Sequence, residues 1–129
     1  MRFLPTKVHG VIDYLEGVAL IAAPWLFQFH DVGGMAVYLP IILGVGVIVA
    51  SLFTDYELGL VKVIPMPYHL VIDFIAAALL ALSPWLFGFA DEKINAWLPH
   101  VVVGVVVILV VLVSKTQPGG KSKISAPSA

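Results

Sequence analysis

Four long apolar runs separated by short polar segments dominate the chain, at residues 8–29, 36–53, 68–89 and 96–113. At a rise of 1.5 Å per residue, about 20 helical residues cover a hydrocarbon core of roughly 30 Å, so each run has the length of a spanning helix. The last run, AWLPHVVVGVVVILVVLV, is rich in β-branched residues and would favour a strand in water. A lone strand in lipid leaves its backbone groups unpaired, so a helix is expected there too. Pro24 falls near the far end of the first run, where it kinks or finishes a helix rather than breaking its middle. Pro40 falls in the first turns of the second, where a missing N–H costs least. Residues 30–34, HDVGG, read as a tight turn, 90–95 as its counterpart, and 54–67, TDYELGLVKVIPMP, as the connector. The final stretch, 114–129, has no apolar periodicity and is expected to be a disordered cytoplasmic tail.

The first and third runs are copies of one another. His9 to Asp31 reads HGVIDYLEGVALIAAPWLFQFHD and His69 to Asp91 reads HLVIDFIAAALLALSPWLFGFAD, with 11 identities in 23 positions and no gap. Each copy opens on His-x-x-x-Asp and closes on Pro-Trp-Leu-Phe-x-Phe. The returns correspond as well, Tyr38-Leu39-Pro40 with Gly44 answering Trp97-Leu98-Pro99 with Gly104 if one residue is inserted. An even number of crossings brings each hairpin back to the face it left. The expected fold is therefore all-α, a four-helix transmembrane bundle made of two repeated helical hairpins in parallel orientation. One membrane domain over 1–113 holds repeat 1 at about 6–53, the connector at 54–67 and repeat 2 at about 68–113. The N-terminal MRFLPTK before an apolar stretch resembles a leader, but a cleaved leader has no reason to copy an internal helix, so the first helix is expected to be retained.

Composition narrows the setting. The 129 residues are 60% hydrophobic and 12% charged, too few charges to cover a surface facing water. The lipid bilayer is the expected partner. A net charge of −1 without basic clusters excludes a nucleic-acid partner. The absence of cysteine excludes disulfides, thiolate metal sites and cysteine nucleophiles. Arg2, Lys7, Lys62, Lys115, Lys121 and Lys123 fall on the side of the termini and connector, and only Lys93 falls opposite. That bias places both termini in the cytoplasm of a multi-pass protein of the cell (inner) membrane.

Ser83-Pro84-Trp85, its counterpart Ala23-Pro24-Trp25, the flanking His-x-x-x-Asp pairs and the Trp-Leu-Pro-His segment together resemble the SPW-repeat family of small membrane proteins. The resemblance covers residues 6 to about 113, and the first copy departs from it by carrying Ala23 in place of Ser. It implies a four-helix integral membrane protein and brings no reaction with it.

The polar residues inside the runs carry what chemistry there is. His9/Asp13 and His69/Asp73 are spaced i, i+4, so each pair shares one helix face and the four groups can converge between the first and third helices. Such a set suits a proton relay or a cation or metal site, since His and Asp are suitable ligands. It equally suits a polar pin between helices near the membrane interface, the reading favoured here. Glu16 has no repeat-mate, since Ala76 holds that place. A mid-bilayer charge costs about 2.5–3.5 kcal/mol on insertion scales, so Glu16 is expected to be neutral or to pair with His69 or Lys62. Asp55, Tyr56 and Glu57 return to the same side and either complete an acidic pocket or form the wet end of a helix, the latter being favoured. Pro24, Trp25, Pro84 and Trp85 read as interface anchors and helix terminators. His30 is expected in water, and His100 would ligate haem or quinone only if it faced another histidine. Gly10, Gly17, Gly44, Ala77, Ala81 and Gly104 permit close helix approach.

No phosphate loop and no nucleophile with its base is present. No enzyme activity, no cofactor and no dedicated metal site is expected. The expected role is a membrane scaffold or accessory subunit acting by helix packing, as a homo-oligomer or with a membrane partner. The alternative is a proton- or cation-coupled small transporter using His9, Asp13, Glu16, His69 and Asp73.

Overall fold

The computed structural model describes residues 2–118. Four helices follow in order: α1 Thr6–Leu26, α2 Met35–Leu52, α3 Met66–Leu86 and α4 Ile94–Val113. α1 packs along α2 and α3 along α4, giving two hairpins. Their turns lie at one end of the molecule, where Asn95 Nδ2 donates to Phe27 O at 2.6 Å and Lys93 Nζ reaches Asp31 at 3.2 Å. The Lys93 ammonium holds the Asp31 carboxyl below the usual carboxylate range. The opposite end gathers the N-terminal segment, the connector and the chain after α4, with Leu4 bridged to Ser114 and Thr54 to Ile64. Arg2 Nη1 closes that end by donating to Val111 O at 2.8 Å and Ser114 O at 2.7 Å, a cation at the C-terminus of α4.

The buried positions of the two hairpins run at a constant offset. His9, Asp13, Gly17, Leu20 and Pro24 in α1 match His69, Asp73, Ala77, Leu80 and Pro84 in α3. Ala36, Pro40, Gly44 and Val47 in α2 match Ala96, His100, Gly104 and Val107 in α4. The inserted residue expected between the returns is therefore absent: Pro40 is in register with His100, not with Pro99. Each helix turns one narrow stripe inward at i, i+3 and i+4 spacing, and the stripe includes the polar residues. Leu15, Val18, Ile42, Ile75 and Leu109 point outward and are exposed. Polar inside and apolar outside is the pattern of a chain surrounded by lipid.

α2, α3 and α4 are each long and apolar enough to cross a membrane. α1 is not among them, because Lys7, His9, Asp13 and Glu16 dilute its apolar run. Close approach within each hairpin depends on missing side chains. A Cβ on Gly44 would stand 2.6 Å from Gly17 O, and one on Gly104 would stand 2.6 Å from Ala81 N and 2.7 Å from Ala77 O. Gly10 is different: a Cβ there would meet the Tyr56 ring of the connector at 2.5 Å, so its small size admits the connector rather than a helix.

Both Pro-Trp helices run two residues past the proline and end alike. α1 passes through Pro24 to Leu26, and Pro24 O then accepts the N–H groups of Phe29 at 2.8 Å and His30 at 2.9 Å. Pro84 O accepts those of Phe89 at 2.8 Å and Ala90 at 3.0 Å. Trp25 and Trp85 are exposed, as anchors would be, while Phe29 and Phe89 from the same blocks are buried. The block thus leaves its tryptophan exposed and fills the core with its last phenylalanine.

Candidate functional site

His9 and Asp13 share one face of α1, His69 and Asp73 one face of α3, and the structure brings all four together at the end that holds the start of α1, the connector and Ser114. Their Nε2 and Oδ2 atoms alternate around a ring. His9 stands 2.8 Å from Asp73 and 3.0 Å from Asp13, and His69 stands 2.6 Å from Asp13 and 3.1 Å from Asp73. The shorter contact of each histidine is to the carboxylate of the other hairpin. All four residues are at most 3% exposed.

Two hydroxyl groups that the sequence reading passed over fix the rings from behind. His9 Nδ1 lies 2.7 Å from Ser114 Oγ, and His69 Nδ1 lies 2.7 Å from Thr54 Oγ1. Ser114 Oγ donates to Val110 O at 2.5 Å, and Thr54 Oγ1 donates to Ala50 O at 2.6 Å. A hydroxyl has one proton, so each oxygen is left to accept, and each histidine donates through Nδ1–H. Nε2 then faces the carboxylates. These bonds also cross between hairpins, since Ser114 follows α4 and holds α1, while Thr54 follows α2 and holds α3. The signal for both residues was present in the sequence as two hydroxyls at the repeat offset, one after each return helix. By its polar neighbours Ser114 belongs to the expected tail. It is buried, and Lys115 N donates to Leu4 O at 2.8 Å. Residues 119–129 of the expected tail lie outside the described residues.

The other expected site residues divide. Asp55 and Tyr56 are buried rather than the wet end of a helix, because the connector folds back over the ends of α1 and α3. Asp55 N donates to Ile64 O at 2.7 Å, and the Tyr56 ring lies 5.8 Å from that of His69. Burial pushes the Tyr56 phenol up, so it keeps its proton. Glu57 is exposed and accepts from Thr6 Oγ1 at 2.6 Å. Lys62 Nζ donates to Tyr56 O and does not reach Glu16.

Glu16 joins neither the quartet nor a cation. Its Oε1 is buried without a hydrogen-bond partner, beside an apolar cavity of about 400 Å³ between α1 and α4. In the equivalent seam between α3 and α2, Leu79 stands where Ala19 lines the cavity, and packs against the Leu20, Leu39 and Leu80 cluster.

The proline carbonyls explain two further residues. Pro40 has no N–H, so Ala36 O loses its helical donor. His100, the repeat-mate of Pro40, places Nε2 2.9 Å from that oxygen and Nδ1 2.7 Å from Ala96 O, and its Nε2–H tautomer supplies the missing donor. Its ring lies between Phe29 and Phe89 at 5.3 and 4.8 Å, while His30 is exposed, so the two histidines do not form a ligand pair. Pro84 likewise strips the donor from Leu80 O, and Ser83 Oγ supplies one at 2.6 Å. Ser-Pro-Trp is thus a proline that opens a helix carbonyl, a serine that closes it and a tryptophan facing out.

A family model described as the SPW repeat domain matches residues 7–114. Comparison with curated proteins and with solved structures gives no match. The matched span takes in both hairpins, the quartet and both of its supporting hydroxyls, and the chain belongs to the SPW repeat family.

Proposed function

We propose that the protein is a four-span membrane scaffold or accessory subunit, with α1 as its fourth span and both termini in the cytoplasm. The observation that supports this reading is the closed quartet. It holds two hairpins together from inside, every ring nitrogen is engaged, and the outer faces remain apolar and free to pack against lipid or other helices. Interhelical polar contacts in membranes contribute about 1 kcal/mol each, enough in a crossed set to fix one arrangement of two hairpins. α1 is carried across as the packed mate of α2, its polar residues turned inward or, for Lys7, toward the end of the helix. In mild detergent the chain should run as a defined oligomer or retain a partner cross-linked to it in native membranes. A lone monomer without any cross-linked neighbour would remove the reading.

A second reading, a proton- or cation-coupled transporter, draws on Glu16 alone: a carboxylate with a buried, unpaired oxygen beside a cavity. It requires pH-dependent flux in proteoliposomes that Glu16→Gln abolishes. Flux absent in the unmodified chain, or unchanged in the variant, removes it.

A further inference from the structure

We propose that the His9, Asp13, His69 and Asp73 quartet is a binding site for one divalent first-row transition-metal ion of the Zn²⁺ class. The first ground is the direction of the lone pairs. With Nδ1–H committed to Ser114 and Thr54, a neutral imidazole turns the Nε2 lone pair toward carboxylate oxygens 2.6–3.1 Å away. That arrangement is repulsive unless positive charge lies inside the ring. Either a proton on each Nε2 or one divalent cation in the middle supplies it, and both leave the buried set with zero net charge. The second ground is the support of the ligands. A metal-binding histidine donates its other ring N–H to an oxygen that fixes tautomer and orientation, and here Ser114 and Thr54 provide that for both rings.

The third ground is size. Four donors at about 2.1 Å from a central ion stand about 3.0 Å apart in a square and 3.4 Å apart in a tetrahedron. The ring edges of 2.6–3.1 Å are shorter than the tetrahedral figure, so an outward shift of about 0.3–0.4 Å per donor admits the ion. One potential ligand atom from each of the four residues already lies within 4.8 Å of the others. The donor chemistry selects the class. Two imidazoles with two carboxylates suit Zn²⁺, Co²⁺, Fe²⁺ or Mn²⁺, whereas Ca²⁺ and Mg²⁺ call for six or more oxygens. Pinning of the hairpins does not depend on the ion, so an empty quartet would leave the scaffold reading intact.

The test uses the full chain in detergent micelles, stripped with chelator, desalted and titrated with Co²⁺, read by visible absorption and by elemental analysis after gel filtration. One ion per chain is expected, with a ligand-field spectrum showing nitrogen coordination, and Zn²⁺ should displace it. Asp13→Asn together with Asp73→Asn should abolish retention, while His30→Ala should leave it unchanged. Because the double variant can fail to fold, Thr54→Val and Ser114→Ala serve as the second arm. They keep all four ligands, and each should weaken Co²⁺ binding about 10–100-fold with helicity unchanged. Less than one retained ion in the folded unmodified chain would overturn the proposal. So would retention that persists in a folded Asp13→Asn/Asp73→Asn chain, or affinity unchanged in both hydroxyl variants.

Discussion

Repeat 1 and repeat 2 bury the same positions at the same offset, yet they do not carry the same residues there. Histidine, aspartate and the helix-ending hydroxyl are kept in both, as His9, Asp13 and Thr54 against His69, Asp73 and Ser114. Elsewhere the copies part. Glu16 faces Ala76 across the alignment, Gly17 faces Ala77, Ala23 faces Ser83 and Gln28 faces Gly88. The quartet and the hydroxyls behind it, which tie one hairpin to the other, match in chemistry. Gly17 and Ala77, and Ala23 and Ser83, which serve their own hairpin, have drifted, and so has Glu16 beside the cavity between α1 and α4. Pro40 and His100 show a third case, in which the mates differ and one repairs the carbonyl the other exposes.

If the quartet is one symmetric unit, Asp13→Ala and Asp73→Ala should cost the same. Each removes a carboxylate that contacts both histidines, and breaking a buried pair costs about 3–5 kcal/mol. Unfolding titrations in mixed micelles should place the two within about 1 kcal/mol of each other. A large inequality would mean that the site is two separate pairs.

The hairpin seams should respond next. Gly44→Ala and Gly104→Ala each force a Cβ to within 2.6 Å of backbone atoms of the adjacent helix. Overpacking of this kind costs about 1–3 kcal/mol. Gly46→Ala, whose Cβ would meet nothing within 4 Å, should gain up to about 1 kcal/mol. The same unfolding measurement separates them.

Smaller effects should follow the asymmetries themselves. Ser83→Ala leaves Leu80 O without its donor and should lower stability by about 1–2 kcal/mol, whereas Ala23→Ser supplies Leu20 O and should raise it by about 1 kcal/mol. Gln28 has φ 56° where its mate Gly88 has φ 74°. A side chain in the left-handed region costs about 1 kcal/mol, so Gln28→Gly should raise the melting temperature slightly and Gly88→Ala should lower it.

Much of the fold was legible because its signals are local and doubled. Apolar run length gave the four helices to within a few residues, and the ungapped copy gave the hairpins. The i, i+4 spacing of His9/Asp13 and His69/Asp73 put each pair on one face, and the copy suggested that they meet. What the sequence hid depends on chain segments folding back. Ser114 sits in a polar stretch that reads as a tail, and its repeat offset from Thr54 takes on meaning through its contact with His9. Asp55 and Tyr56 look solvated until the connector lies down over the helix ends. Glu16 looked as though it should find His69 or Lys62, but His69 is held by two aspartates and Lys62 by a connector carbonyl.

The chain has no cysteine, so single cysteines can report which face of the membrane each segment reaches. His30→Cys and Glu92→Cys mark the two turns, Leu60→Cys the connector and Lys115→Cys the chain after α4. In intact cells an impermeant maleimide should modify both turn positions, and should reach Leu60→Cys and Lys115→Cys only after the membrane is opened. Labelling of the two turns from opposite faces would contradict the side-by-side hairpins and, with them, the shared quartet.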